Sequence, residues 1–243
     1  MTDFTLALRD DHDIAALRAD YARDGLVRVE RLFPDDTAEA IYQVLLRGTP
    51  WRVVHSDEAG KHRYYSPQEW QAMAPQSRQS LINGVLRQAR EGFAYLYSCY
   101  PMIDALLAGD DPNWPLHALT EFLNSPEFLA FTKAITDEPD VIKIDGQATL
   151  YAPGHFLNAH DDTGDIAERR AAYVMGFSKN WRSDWGGQLL FLDDKSDVTC
   201  GFTPSFNNLS LFKVPRDHVV TQVTNFAGAG RYSVTGWLRV DPK

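Results

Sequence analysis

The feature that most constrains this chain begins at Val141. From there VIKIDGQATLYAPG, RRAAYVMGF, GGQLLFLDD, NNLSLFKV, DHVVTQV and RYSVTGWLRV follow as short strand-like segments broken by Gly, Pro, Asn and Asp. Short strands punctuated this often predict a sandwich or barrel. The texture upstream differs. DIAALRADYARDG has apolar residues at helical spacing and closes on Gly25, and PDDTAEAIYQVLLRG ends at Gly48. LVRV, at 26 to 29, is strand-like, and a long amphipathic pattern runs from SPQEW to about Leu107. We therefore expect α+β architecture in a single domain over 1–243. Residues 1–140 read as mostly helical support and 141–240 as the β core, with no internal repeat or flexible linker between them.

Composition removes several function classes. Hydrophobic residues make up 44% of the 243, enough for a real core. The net charge of −9 is spread along the chain, which disfavours a nucleic-acid partner, since such proteins carry a basic stripe. No run of about eighteen apolar residues occurs, so no membrane span is expected. MTDFTLALRDDHD lacks the basic start and apolar stretch of a secretory signal. The two cysteines, Cys99 and Cys200, are too few and too far apart for a disulfide scaffold or zinc knuckle, and a reducing cytosol is the expected location.

The residues that carry chemistry cluster in HDDTGD, 160 to 165. If the chain is extended there, strand alternation points His160 and Asp162 one way and Asp161 the other. An imidazole and a carboxylate on one face suit a metal ion but need a third ligand. Only His218 of the seven histidines lies downstream of His160, in strand-like DHVVTQV. Two His and one carboxylate form the facial triad of non-haem Fe(II) oxygenases, with open positions for reactants. Zinc accepts the same donors, and an H-x-D pair taken by itself is more often a hydrogen-bonded surface turn. Further along, Arg231 and Ser233 share a strand face, so a guanidinium and a hydroxyl can grip one carboxylate. Tyr151, just before a Pro-Gly turn, is either a core residue or a further contact for that carboxylate.

The ordered series YAPG (151–154), HDD (160–162), WRSDWGGQL (181–189), NLSLF (208–212), HVVTQV (218–223) and RYSVTGW (231–237) resembles the 2-oxoglutarate- and Fe(II)-dependent dioxygenases. Within them it is most similar to the prolyl 4-hydroxylase-like branch, over roughly residues 141–240. The resemblance implies a double-stranded β-helix, or jelly roll, buttressed by helices. It implies metal ligation by His160, Asp162 and His218, and a 2-oxoglutarate carboxylate held by Arg231, Ser233 and Tyr151. Two departures stand out: Gln188 follows the Gly pair where relatives often have an acid, and Gly176 aligns with a co-substrate tyrosine, leaving Tyr173 as a substitute.

The implied reaction consumes Fe(II)-bound 2-oxoglutarate and O2, with ascorbate as a candidate reductant. It yields succinate and CO2 and hydroxylates an unactivated C–H. The resemblance favours a prolyl residue in a protein as substrate. PWRVVHSDEAGKHRYYSPQEW (50–70), rich in aromatic and basic groups, is then a covering segment, or else an ordinary surface loop. The alternatives are a free amino acid or other small metabolite as substrate, and a non-catalytic jelly-roll binding module.

Overall fold

The computed structural model describes residues 5–163 and 168–240. Helix α1 (Ile14–Asp24), strand β1 (Leu26–Glu30) and helix α2 (Asp35–Arg47) come first. A hairpin of β2 (Arg52–Ser56) and β3 (His62–Tyr65) follows, then α3 (Pro67–Ala72), α4 (Pro75–Glu91), β4 (Tyr95–Tyr100), α5 (Met102–Ala108), α6 (Pro115–Leu123) and α7 (Pro126–Thr136). The remaining strands are β5 (Lys143–Ile144), β6 (Gln147–Tyr151), β7 (Phe156–His160), β8 (Arg169–Phe177), β9 (Leu189–Leu192), β10 (Val198–Phe202), β11 (Phe206–Lys213), β12 (His218–Val220) and β13 (Arg231–Arg239). Among the described residues, no helix is long and apolar enough to cross a membrane.

Local chemistry sets several boundaries. Asp13 caps α1 by accepting a hydrogen bond from the Ala16 amide at 3.0 Å, and Gly25 ends it at φ 62°, a left-handed conformation that costs glycine little. Ser66 and Glu69 form a reciprocal capping box on α3.

The strands curl into one antiparallel sheet in the order β1-β11-β8-β13-β6-β4-β7-β12-β9-β10, the jelly roll expected from the sequence. Its outer face packs on the helices. Tyr173 and Met175 of β8, Leu209 and Leu211 of β11, and Val234 and Leu238 of β13 are buried there against α2, α6 and α7. Burying a side chain of this size contributes about 1.5–3 kcal/mol. The inner face holds a second, smaller core that includes Phe191, Phe212, Val220 and Val223. Asn207, at a register shift in β11, clamps the N-terminal layer onto the sheet: its side chain accepts from the Phe33 amide at 2.9 Å and donates to the Phe33 carbonyl at 2.8 Å.

The first half contributes more β structure than its helical pattern suggests. The amphipathic stretch expected from SPQEW to about Leu107 divides into α3 and α4 and ends at Gly92, and β4 follows. This strand pairs with β6 through Ser98–Tyr100 and with β7 through Tyr95 and Leu96, so it bridges the two arcs of the sheet. Flanked on both edges and buried on both faces, it needs no polar alternation. Residues 50–70 are not a loop. The β2–β3 hairpin extends the sheet from β4, and its 57–61 turn is tied by the Asp57 carboxylate.

Candidate metal and co-substrate site

The antiparallel register of β7 and β12 sets His160 opposite His218, with ring centroids 4.1 Å apart. Each ring has its Nδ1 2.8 Å from a backbone carbonyl, that of Asn158 for His160 and that of Arg216 for His218. A carbonyl only accepts, so both Nδ1 atoms carry the proton and both Nε2 lone pairs are free. Those Nε2 atoms face Asp162, at 3.4 Å from His160 and 3.6 Å from His218. The three donor atoms lie within 4.8 Å of one another, close enough to share an ion.

Asp162 reaches this cluster by a route that differs from strand alternation. Strand β7 ends at His160, and Asp162 lies beyond it at φ 61°. Asp tolerates this left-handed conformation better than most residues. Arg169 fixes the turn by donating to the Asp162 carbonyl at 2.9 Å, while its guanidinium stacks 3.8 Å from the Trp237 ring. The Asp161 carboxylate instead accepts from the Thr163 amide at 2.8 Å. Gly164 and Asp165, the end of the HDDTGD stretch, lie outside the described residues.

The electrostatics suit a cation. Burial alone would push the Asp162 carboxyl up, but His160, His218 and the buried Trp237 indole N–H outweigh it and hold the group below its ordinary pKa. Burial, followed by the nearness of His160, pushes His218 down to about 4, so its imidazole is neutral. A carboxylate and a neutral imidazole are the forms a divalent ion binds.

From this cluster a cavity of about 430 Å³ runs into the sheet, with Arg231, Tyr151 and Thr149 among the residues that line it. Arg231 is 5% exposed and sits 4.9 Å over the Tyr151 ring, and it has no carboxylate partner among the described residues. Burial lowers its pKa, with Tyr151 opposing the shift. A buried cation left without a counter-charge is costly unless a ligand supplies one. Ser233 shares Arg231's face, but its hydroxyl is 2.7 Å from that of Thr149, and it lines a small void beside Arg231 rather than the main cavity.

Tyr173 does not substitute for the missing tyrosine. It points to the helix side of the sheet, where its hydroxyl donates to the Asp145 carbonyl at 2.7 Å. At Gly176 a Cβ would come within 2.6 Å of the Ser205 carbonyl, so any side chain there would force the neighbouring backbone to shift. Tyr97 of β4 is the phenol that sequence reading missed. Its ring stacks on Tyr151 with centroids 5.1 Å apart, and it lines the cavity. Thr149 was within reach of the alternation rule, two residues before Tyr151.

A curled antiparallel roll with two His and one carboxylate at its mouth and a buried Arg inside defines the non-haem iron oxygenase class of site. Residues 146–239 match the family described as the 2OG-Fe(II) oxygenase superfamily. The superfamily works with Fe(II), 2-oxoglutarate and O2. No curated protein matches the sequence. Among solved structures, a Pseudomonas putida prolyl-4-hydroxylase aligns over 94% of this chain and 99% of its own at 18% identity, with TM-score 0.57. A Trichoplax adhaerens prolyl hydroxylase, in complex with a hypoxia inducible factor oxygen degradation domain peptide fragment, aligns over 94% and 89% at 15% identity and TM-score 0.60. SnoN, a non-haem alpha-ketoglutarate-dependent epimerase from nogalamycin biosynthesis, aligns over 92% and 80% at 14% identity and TM-score 0.52.

Proposed function

We propose that the protein hydroxylates an unactivated C–H of a prolyl residue in a protein or peptide, with His160, Asp162 and His218 as Fe(II) ligands. The observation that carries the iron assignment is the pair of Nε2 lone pairs, each fixed by an Nδ1–carbonyl hydrogen bond and aimed at one carboxylate. Arg231 is the partner of the distal 2-oxoglutarate carboxylate, with Tyr151 beside it, and Ser233 orients Thr149 from behind. When bound, iron with 2-oxoglutarate and O2 supplies the oxidising power, and succinate and CO2 are the by-products.

The chain's own part is geometric. Arg231 supplies a fixed counter-charge that need not reorganise, and the apolar flank of Leu157, Leu189 and Val220 keeps the cavity dry. At the mouth, the exposed ring of Phe93 is available to a substrate ring. Support for a protein substrate comes from the β2–β3 hairpin beside the mouth, which brings His62 to the cavity rim, and from the prolyl hydroxylases among the structural neighbours. We treat residues 1–243 as one domain, because β1 and β4 lie inside the catalytic sheet. Ascorbate is the proposed reductant. The proposed location is the reducing cytosol, where the free thiols Cys99 and Cys200 are stable.

The deciding experiment measures succinate formed with Fe(II) and 2-oxoglutarate in the presence of proline-containing peptides, free proline and a metabolite extract. Peptide-dependent succinate with one oxygen added at a prolyl ring supports the proposal. Full coupling to a free amino acid or metabolite, with every peptide inert, replaces it with small-molecule hydroxylation. Absence of any succinate points to a non-catalytic module.

A further inference from the structure

One face of β4 carries Tyr95, Tyr97 and Cys99 in alternation, all of them oxidisable side chains. The tyrosines belong to a continuous series of ring contacts. Tyr151 stacks on Tyr97, Tyr97 meets Tyr95 at 5.6 Å, Tyr95 meets His62 at 5.6 Å, and His62 meets Tyr64 at 6.4 Å. Tyr64 is 53% exposed, so the series starts at the cavity floor and ends in solvent. A second contact joins it from the metal side: Phe93 lies 5.6 Å from His160 and 5.7 Å from Tyr95.

Packing alone does not call for these hydroxyls, since Phe or Leu would fill the same space without desolvating a polar group. Burial pushes the phenols of Tyr95, Tyr97 and Tyr151 up, so none is present as phenolate. A neutral phenol gives up an electron easily only if its proton leaves at the same time, which requires an adjacent base. Tyr95 has one: its hydroxyl is hydrogen-bonded to Nδ1 of His62, whose ring is open to solvent. Imidazole is the side chain best suited to take up and return a proton.

Resting on the oxygenase reading, we propose that Tyr97, Tyr95, His62 and Tyr64 form a discharge path that protects the site when O2 is consumed without substrate. With iron bound and O2 consumed, Tyr95 would give up an electron toward the site, directly or through Tyr97 or Phe93, as its phenol proton passes to His62. Tyr64 refills Tyr95, and a small reductant of the enediol or thiol class refills Tyr64 at the surface. Two such electrons, with two protons from solvent, would reduce the oxygen atom meant for substrate to water and leave the iron ferrous.

The test is substrate-free turnover of the whole protein with Fe(II), 2-oxoglutarate, O2 and ascorbate. Wild type is compared with Tyr95→Phe, His62→Gln and Tyr64→Phe. Three quantities are read: succinate formed per molecule inactivated, the tyrosyl radical signal in freeze-quenched samples, and the position of added oxygen by peptide mass spectrometry. Each variant should inactivate after several-fold fewer turnovers. Tyr95→Phe should lose the radical signal, with damage moving inward to Trp237, Phe93 and His160. Tyr64→Phe changes only an exposed hydroxyl, so a folding defect cannot account for its effect. Unchanged lifetimes and damage patterns in all three variants, or wild-type oxidation gathered at Cys99, would overturn the path and leave the oxygenase reading standing. No succinate from wild type would overturn both.

Discussion

Val234 and Leu238 leave β13 on one side, Arg231, Ser233 and Trp237 on the other, and the two faces obey different rules. On the helix-side face Val234 and Leu238 are fully buried in the core, with Tyr232 partly buried against it. The inner face holds a cation without a carboxylate partner among the described residues, a hydroxyl paired to Thr149 and an indole N–H buried without a full hydrogen bond. Groups of the second kind cost stability. Their presence on the same strand marks where the fold is spending stability on chemistry. The comparison therefore predicts that substitutions on the two faces move stability and function in different directions.

The largest effect belongs to the metal cluster. Asp162→Ala removes its only carboxylate and should abolish both iron binding and turnover, measured by iron titration and succinate formation. Asp161→Ala removes only a cap on the Thr163 amide and should keep most of the activity. An inactive Asp161 variant beside an active Asp162 variant would break the assignment of the left-handed turn.

The next pair tests the two faces directly. Leu238→Ala leaves a cavity in the helix-side core and should cost about 2–5 kcal/mol in denaturant unfolding. Arg231→Met should leave stability unchanged or raised, because it removes a buried charge that has no partner until ligand binds. The same variant should lose about 2–5 kcal/mol of 2-oxoglutarate binding, the cost of removing a charged hydrogen-bond partner. Apparent affinity then falls by roughly thirtyfold to a few thousandfold, with iron binding nearly unchanged. Destabilisation by Arg231→Met comparable to that of Leu238→Ala would show that the inner face is also built for the core.

A smaller, pH-dependent effect comes from the turn that joins β6 to β7. His155 packs there with its Nδ1 3.4 Å from the Leu150 carbonyl, and burial pushes its pKa down to about 4 from an ordinary 6.5. Above pH 6.5 the imidazole is neutral in both folded and unfolded chains and contributes no pH dependence. Below it the unfolded chain takes up a proton that the folded chain refuses, so stability falls between about 6.5 and 4. The full loss is about 3 kcal/mol at 1.36 kcal/mol per pKa unit. His155→Gln should flatten that part of the stability profile of the metal-free protein by nearly one proton. Identical slopes in the two proteins would mean that His155 titrates normally when folded.

What was legible in the sequence follows the range of the interactions involved. His160, His218 and Arg231 could be read because each sits in a segment whose strand character is local. Asp162 was placed beside His160 by assuming an extended chain, whereas the structure achieves the pairing with a left-handed residue after the strand ends. Tyr97 was hidden because AYLYSCY is buried on both faces and follows a long helical pattern, so neither period marks it as a strand. Its strand state comes from pairing with β6 and β7, some fifty residues downstream, and such pairing leaves no local trace. Tyr173 failed as a substitute for a simpler reason: it is an odd number of residues from Gly176, so it lies on the opposite face of β8.

The smallest effect sharpens the comparison at Gly176 itself, where the inner face meets backbone. The chain passes from Ser205 into β11 with Asn207 at φ 58° and a register shift before Asn208, which drives this segment onto β8. A Cβ at Gly176 would lie 2.6 Å from the Ser205 carbonyl and 2.7 Å from Asn208 Nδ2. The amide side chain can turn aside, but the carbonyl belongs to a backbone held by the 3.0 Å hydrogen bond it accepts from the Ser178 amide. Gly176→Ala should therefore cost about 1–3 kcal/mol, the usual penalty for overpacking. Because Arg231 and Ser233 border the same small void, the variant should also weaken 2-oxoglutarate binding slightly more than Leu238→Ala does, despite its smaller effect on stability. Equal co-substrate affinity in the two variants would show that the packing beneath Arg231 does not help to position it.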